Sequence, residues 1–471
     1  MKKIIICCIL IMSATLYSQI DRTKKPEPQA TPKLQLPKIQ RATLSNGLSL
    51  MLVEHHELPV VYAQLVFQTG AAKEEKSGTA NLTAQMLKEG TSKRTSLQIA
   101  DDIEFIGAEI SIGSNYDATF ASLLTVKEHL NSALEIYSDI LLHPTFPEKE
   151  WERVKKTHLT GLLQQKDNPR TVANNVYSQS LYGANHPYGR PAEGTETSVN
   201  NISLADLQTF YHSNYKPNNA TLIIVGDITV KEIVPLWEKY FAQWKKEKVT
   251  QPTFSTTPTI SSTSIYLIDK PQAAQSEIRI GHIGVARNNE DYFPLVVMNN
   301  ILGGQFTSRI NLNLREAKGY TYGSRSGFSM RKMAGPFTAS AAVKTDVTDS
   351  SVIEFMKELN AIRNADVTEK ELSLAKNSMV RSQPQDFETP QQIAGQLTNL
   401  VLYNLPDDYF NTSVQKIEQV TMADVRRVAE KYLNPKAMNI VIVGDKEKIQ
   451  SGLEKLGYGK VNLLDTEGNS N

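Results

Sequence analysis

Cysteine is nearly missing: the 471-residue chain has 2, Cys7 and Cys8. Beyond residue 8 it can form neither disulfides nor thiolate metal sites, which excludes a disulfide scaffold and a zinc-finger type of module. After the N-terminal segment no apolar run approaches the roughly 20 residues needed to cross a bilayer. Charge of one sign is absent too, since 51 Lys and Arg stand against 50 Asp and Glu for a formal net charge of +1. That balance offers no electrostatic footprint for nucleic acid. There is no Gly-x-Ser-x-Gly elbow and no phosphate-cradling Gly-x-x-x-x-Gly-Lys loop. The eight histidines, at 55, 56, 129, 143, 158, 186, 212 and 282, include no pair three or four apart. His55-His56 lies between Glu54 and Glu57, but neighbours in an extended segment point to opposite faces, so the cluster reads as a solvated turn.

What is present begins with MKKIIICCILIMSATLYSQ, a basic start, an apolar run and small residues near Ser18. This is the pattern of a signal peptide over residues 1–18, and the expectation is an exported chain, periplasmic or secreted. Residues 19–40 form a Pro- and Lys-rich lead-in with little to bury. At this length two or more domains are the default. Asn46-Gly47, set between alternating apolar residues in TLSNGLSLMLVEH, predicts a hairpin with a type I′ turn. A helix follows over Gly78–Lys88, then one capped by Ser96 and ended by Gly107. Residues 108–127 read as two strands. Helical patterns cover Glu128–Leu142, Pro147–Gln165, Thr171–Tyr182 and Val230–Lys245. Residues 247–264 read as a linker, because Thr250–Ser264 is Ser/Thr/Pro-rich and aperiodic.

The second half repeats the first. SLADLQTFYHSNYKPNNATLIIVGD (Ser203–Asp227) aligns without gaps on TMADVRRVAEKYLNPKAMNIVIVGD (Thr421–Asp445), with a hydroxyl cap, an Asp three residues on, and a Pro the same distance before each strand. Upstream, FPEKE at Phe146 matches VTEKE at Val367. The reading is two duplicated domains, residues 41–246 and 265–460, with a tail over 461–471.

The stretch ILGGQFTSRINLNLREAKGYTYG (Ile301–Gly323) carries the candidate chemistry. Ile310, Leu314 and Ala317 suggest a short helix stopped by Gly319, and Tyr320-Thr321-Tyr322 the start of a strand. Arg315 and Tyr322 then lie on opposite sides of a tight turn. A guanidinium and a phenol aimed at one point can hold a carbonyl oxygen as it gains charge. The plainer reading is an exposed helical Arg and a half-buried strand Tyr. Gly303-Gly304 reads as a turn between helices.

Taken together, LSNGLSLMLVEH, the Gly78 helix followed by KEGT, HPYGRPAEGT, the duplicated VGD strands and LREAKGYTYG resemble the pitrilysin/insulinase family of zinc peptidases, the inverzincins, which includes the mitochondrial processing peptidase. The resemblance covers about residues 40 to 460. It implies an α/β (α+β) fold of two duplicated domains, each a largely antiparallel sheet with helices packed against it, related by a pseudo-twofold. It also implies that Arg315 and Tyr322 bind the substrate backbone. The family's zinc motif, His-x-x-Glu-His, falls on Asn81, Ala84 and Gln85, two neutral amides and a methyl. Its third ligand, a Glu, falls near Gly161, and no carboxylate lies between Glu152 and Asp167.

The expectation is therefore a subunit that binds no metal itself, pairs with a zinc-bearing homologous peptidase and helps grip unfolded peptide. The alternatives are a peptide-binding or scaffold protein that has kept only the fold, and a self-sufficient hydrolase with an unrecognised metal site.

Overall fold

A computed structural model describes residues 38–250 and 257–470. The signal peptide, the lead-in up to residue 37, residues 251–256 of the linker and residue 471 lie outside the described residues. Among the described residues no helix is long and apolar enough to cross a membrane.

Two six-stranded mixed sheets organise the chain. The first comprises β1 (Gln40–Thr43), β2 (Ser49–Glu54), β3 (Val60–Phe67), β4 (Glu109–Ser114), β5 (Thr119–Val126) and β6 (Ala220–Gly226), in the order β1-β2-β6-β3-β5-β4. The second comprises β7 (Ser264–Asp269), β8 (Gln275–Ile283), β9 (Thr321–Phe328), β10 (Pro336–Lys344), β11 (Asn439–Gly444) and β12 (Val461–Leu464), in the order β12-β7-β11-β8-β10-β9. Five strands of each sheet repeat one topology, with β6 and β11, the two VGD strands, in equivalent places. The β2–β6 pair is parallel and the rest of the first sheet antiparallel, while β12–β7 and β7–β11 are both parallel.

The sixth strand breaks the repeat. In the first sheet β1 covers the edge of β2, and in the second β12 covers β7. Val461–Leu464, assigned above to the tail, is thus a sheet strand, because an open β7 edge would leave a row of unpaired backbone groups.

The central strands of each sheet are buried on both faces, and the halves exchange helices to achieve it. The helix Pro169–Tyr182, from the first half, packs Val172, Ala173, Val176 and Leu181 with Ile268, Val441 and Val443 of the second sheet. In return the helix Pro390–Tyr403 packs Ile393, Ala394, Leu397 and Leu400 with Met51, Val53, Val66, Ile223 and Val225 of the first. Two-sided burial is why LMLVE, LIIVG and IVIVG are continuous apolar runs rather than alternating ones.

Local details depart from the sequence expectations in two places. Leu44 O accepts from Gly47 N and Leu44 N donates to Leu48 O, closing the first hairpin, but only Gly47 has positive φ (85°). A type I′ turn needs two such residues, so this is a longer connection with glycine in the left-handed position. The helix Ser96–Phe105 is capped by Thr95 rather than Ser96. Thr95 has Gln98 three residues on to complete a reciprocal capping box, whereas Ser96 would face Ile99.

The duplicated caps are present in both halves: Ser203 pairs with Asp206, and Thr421 with Asp424. Thr421→Ala removes one such box and is expected to lower stability by about 1 kcal/mol, read as a shift of the urea midpoint at constant m-value.

Candidate functional site

The helix Thr79–Met86 carries the first group of candidate residues. Its N-terminus is held by Glu74, which accepts from Gly78 N at 2.9 Å and Ala80 N at 2.7 Å. Burial pushes the Glu74 carboxyl up to about 8, against the pull of those two amides and the nearby Arg190 charge. The HPYGRPAEGT segment wraps this end. Arg190 donates to Glu74 O and Glu75 O, and Ser77 donates to Pro191 O. Glycine is required where the two segments touch: Gly194 has φ 86°, and a Cβ there would lie 2.6 Å from Ser77 O.

Asn81 and Gln85 sit one turn apart on the open face of this helix, and Ala84 is buried. Gln85 Nε2 donates to Asn81 Oδ1 at 2.5 Å, and lies 3.4 Å from His158 Nδ1. His158 Nε2 is 2.8 Å from Glu193 O. A carbonyl oxygen only accepts, so the ring proton is on Nε2 and the Nδ1 lone pair faces the Gln85 amide. His158 belongs to the helix Glu148–Lys166, one turn before Gly161. Sequence reasoning missed it because the resemblance directs attention to a carboxylate near Gly161, and a lone His carries no motif. The cluster is two amides and one imidazole, with Gln85 Nε2, both His158 nitrogens and Asn81 Oδ1 already engaged. It does not fit a zinc ion, which takes anionic or imidazole donors from three or four side chains, nor does Ala84 offer a base to a bound water.

The second group lies in the other half. Arg309–Asn311 is α-helical and continues as a π-helix over Leu312–Ala317, and Gly319 follows with φ 64°, the left-handed stop that the sequence predicts. Asn311 staples this turn to β9, accepting from Ser324 N and donating to Phe306 O. Gly303 does more than turn the chain: a Cβ would lie 2.3 Å from Ser326 N, so glycine lets the helix end press against β9.

Arg315 and Tyr322 are thereby fixed on either side of Gly319 by their backbones, but their heads differ in environment. The Arg315 guanidinium lies over the Phe306 ring at 4.4 Å and its Nε is 3.5 Å from Glu316 Oε1. Tyr322 is 92% exposed. His55-His56 proves to be an ion-paired corner: His56 meets Asp227 at 2.6 Å and Glu54 at 3.1 Å, and both hold its pKa above the usual histidine value, Asp227 the more strongly.

The halves meet through Asp117 and Tyr188. The Tyr188 hydroxyl donates to Asp117 Oδ1, whose other oxygen accepts from Lys332 N at 3.1 Å. Tyr177 and Tyr182 donate to Phe337 O and Ala334 O. Thus HPYGRPAEGT, conspicuous in the sequence without a role, touches both the amide-bearing helix and the β9–β10 connection.

Comparison with known proteins agrees with this architecture. A protein of Bacillus subtilis named "Uncharacterized zinc protease YmxG" is 26% identical over 346 residues, 72% of this chain and 82% of its own length. "Non-peptidase homolog YmxG" of Helicobacter pylori is 25% identical over 403 residues, 84% of this chain and 91% of its own. The crystal structure of a peptidase M16 inactive domain from Pseudomonas fluorescens superposes with a TM-score of 0.81 at 28% identity, covering 86% of this chain and 98% of that one. The family model "Insulinase (Peptidase family M16)" matches residues 50–196, and "Peptidase M16 inactive domain" matches residues 201–379. With both family domains in tandem across its two sheets, the chain belongs to the M16, or insulinase, peptidase family.

Proposed function

We propose that the chain is an exported, zinc-free subunit that pairs with a zinc-bearing M16 homologue, and that Arg315 and Tyr322 contact the backbone of unfolded peptide in the pair. The observation that carries this reading is the hydrogen-bonded cluster of Asn81, Gln85 and His158, two amides and an imidazole at the positions where the family resemblance puts a metal. Endopeptidase activity then belongs to the pair, with zinc on the partner. The chain itself contributes binding surface. The exposed Tyr322 is accessible to a peptide, and Arg315, held over Phe306, is preorganised on a short, stapled turn.

The test is reconstitution with a zinc-bearing M16 partner, assaying peptide cleavage by each chain alone and by both. Cleavage is expected only when the partner is present, and to rise when this chain is added. Arg315→Ala and Tyr322→Phe should each lower kcat/KM of the pair by about 10²- to 10³-fold if they support the developing charge, with assembly unchanged by light scattering. Full activity in both variants would sink the substrate role.

One observation favours a second reading, that of a scaffold with the same fold: Arg315 already interacts with Phe306 and Glu316. A scaffold would neither recover an M16 peptidase on co-purification nor respond to these substitutions. Stoichiometric zinc and cleavage by the isolated chain would instead establish a hydrolase with its own metal site.

A further inference from the structure

Between the helix Pro169–Tyr182 and the β9–β10 face of the second sheet lies a polar cavity of 480 Å³. Its charged lining is lopsided: Arg170, Arg279, Arg325 and Arg331 against the single carboxylate Glu277. Glu277 is already committed, 2.8 Å from Arg279 Nη1. Arg279 is buried and further held by Asn174. Arg331 lies over the rings of Tyr116 and Tyr188, at 4.2 and 4.7 Å, contacts that fix its position without cancelling its charge. The exposed Arg170 and Arg325 have no side-chain hydrogen bond or ion pair among the described residues.

These charges repel one another. Burial, chiefly, and then the charges of Arg170 and Arg325 lower the Arg279 pKa, against the opposing pull of Glu277. Uncompensated like charge gathered around one concavity is unfavourable in the free protein and is relieved by an anion. The chain as a whole has almost no net charge, so the excess is local.

We infer that this cavity is a binding site for acidic side chains of an extended peptide, with Arg170 and Arg325 as the free anion-binding groups. The inference rests on the peptide-gripping role proposed above and gives it a substrate preference. Carboxylates are matched by guanidinium forks. A peptide is favoured over a small free anion because the cavity is large and is also lined by Asn174, Ser178, Thr338 and Ser340, which can bond a peptide backbone. Gly323, at its rim, follows Tyr322 directly in β9, so one extended segment can lie against both.

Fluorescence anisotropy with the full chain tests this, using a labelled peptide containing six consecutive Glu residues, the same peptide with Gln in their place, and inorganic phosphate as competitor. The Glu peptide is expected to bind about tenfold or more tighter than the Gln peptide at low salt, with the advantage shrinking as salt screens it. The double variant Arg170→Gln/Arg325→Gln should erase the difference without lowering the unfolding midpoint, since both residues are exposed and their loss relieves repulsion. An Arg426→Gln control, altering a half-buried, ion-paired arginine outside the cavity, should keep it. Equal affinity for the two peptides, retention of the preference in the double variant, or complete displacement by phosphate at its own weak affinity would each overturn the inference. If wild-type chain binds both peptides equally and the reconstituted pair still cleaves neutral peptide, the acid preference alone has failed. If neither peptide binds and no partner pairs with the chain, the subunit reading has failed as well.

Discussion

Tyr188→Ala is expected to destabilise the chain by about 4 kcal/mol, the sum of a large cavity and a broken polar tie between the halves. The ring is fully buried and packs edge-on against Tyr116 and Tyr182, with centroids 5.4 and 5.8 Å away. Its hydroxyl satisfies Asp117, itself buried, while the other Asp117 oxygen takes Lys332 N from the second half. Tyr188→Phe keeps the ring and removes only the hydroxyl, so it should cost about 1–2 kcal/mol through the unsatisfied carboxylate. Urea unfolding of the three proteins separates the two contributions. Hydrogen exchange adds a local readout, because losing the tie should speed exchange in residues 329–335 before the rest of the second sheet. A Phe variant as stable as wild type, or a cost under about 1 kcal/mol for Ala, would show that the Tyr188 hydroxyl does not join the halves.

The second large effect depends on pH. Glu74 is buried at the N-terminus of the amide-bearing helix, and burial raises its carboxyl from 4.5 to about 8. Between those values the folded chain keeps a proton that the unfolded chain has lost, so stability declines as pH rises through that window. The full decline from this group is on the order of 3–5 kcal/mol. Glu74→Gln cannot ionise and should flatten the profile, although it adds a pH-independent penalty for replacing one acceptor oxygen with an amide NH₂. The difference between wild type and variant from pH 5 to 8 therefore isolates Glu74.

Other groups act elsewhere or cancel in that difference. Burial lowers Lys73 to about 8, so its contribution changes only above that pH. His56, raised by Asp227 and Glu54, weakens the fold in the same direction as pH rises, but is common to both proteins. Asp291 and Glu371 are held near 2, Asp291 by Lys431, Tyr432 and Arg427 against burial and Glu371 by Arg309, so their stabilisation is lost only in acid, as pH falls below the usual carboxylate range. Parallel pH profiles for wild type and Glu74→Gln would contradict the assignment.

Much of this protein is set locally and is therefore written in the sequence. The capping boxes at Ser203 and Thr421 need only residues three apart. The stop at Gly319 needs one left-handed residue, and the VGD runs need only two buried faces. The repeat of Ser203–Asp227 in Thr421–Asp445 follows from these signals, and so does the pairing of two similar sheets. The amide character of Asn81 and Gln85 and the presence of Arg315 and Tyr322 around a turn are equally plain.

Tertiary structure decided what those elements meet. Nothing in the period of Pro169–Tyr182 says that it will cover the sheet of the other half, or that Pro390–Tyr403 will return the exchange. Val461–Leu464 is a short, mixed stretch, and only the open edge of β7 makes it a strand. His158 joins Gln85 across 73 residues, and Arg170 and Arg325, from different halves, line one cavity. Caps and periods act over one or two turns of chain, so their signals survive in a single sequence. Packing partners are chosen by shape and burial between surfaces far apart in the chain, and only the folded molecule brings those surfaces together.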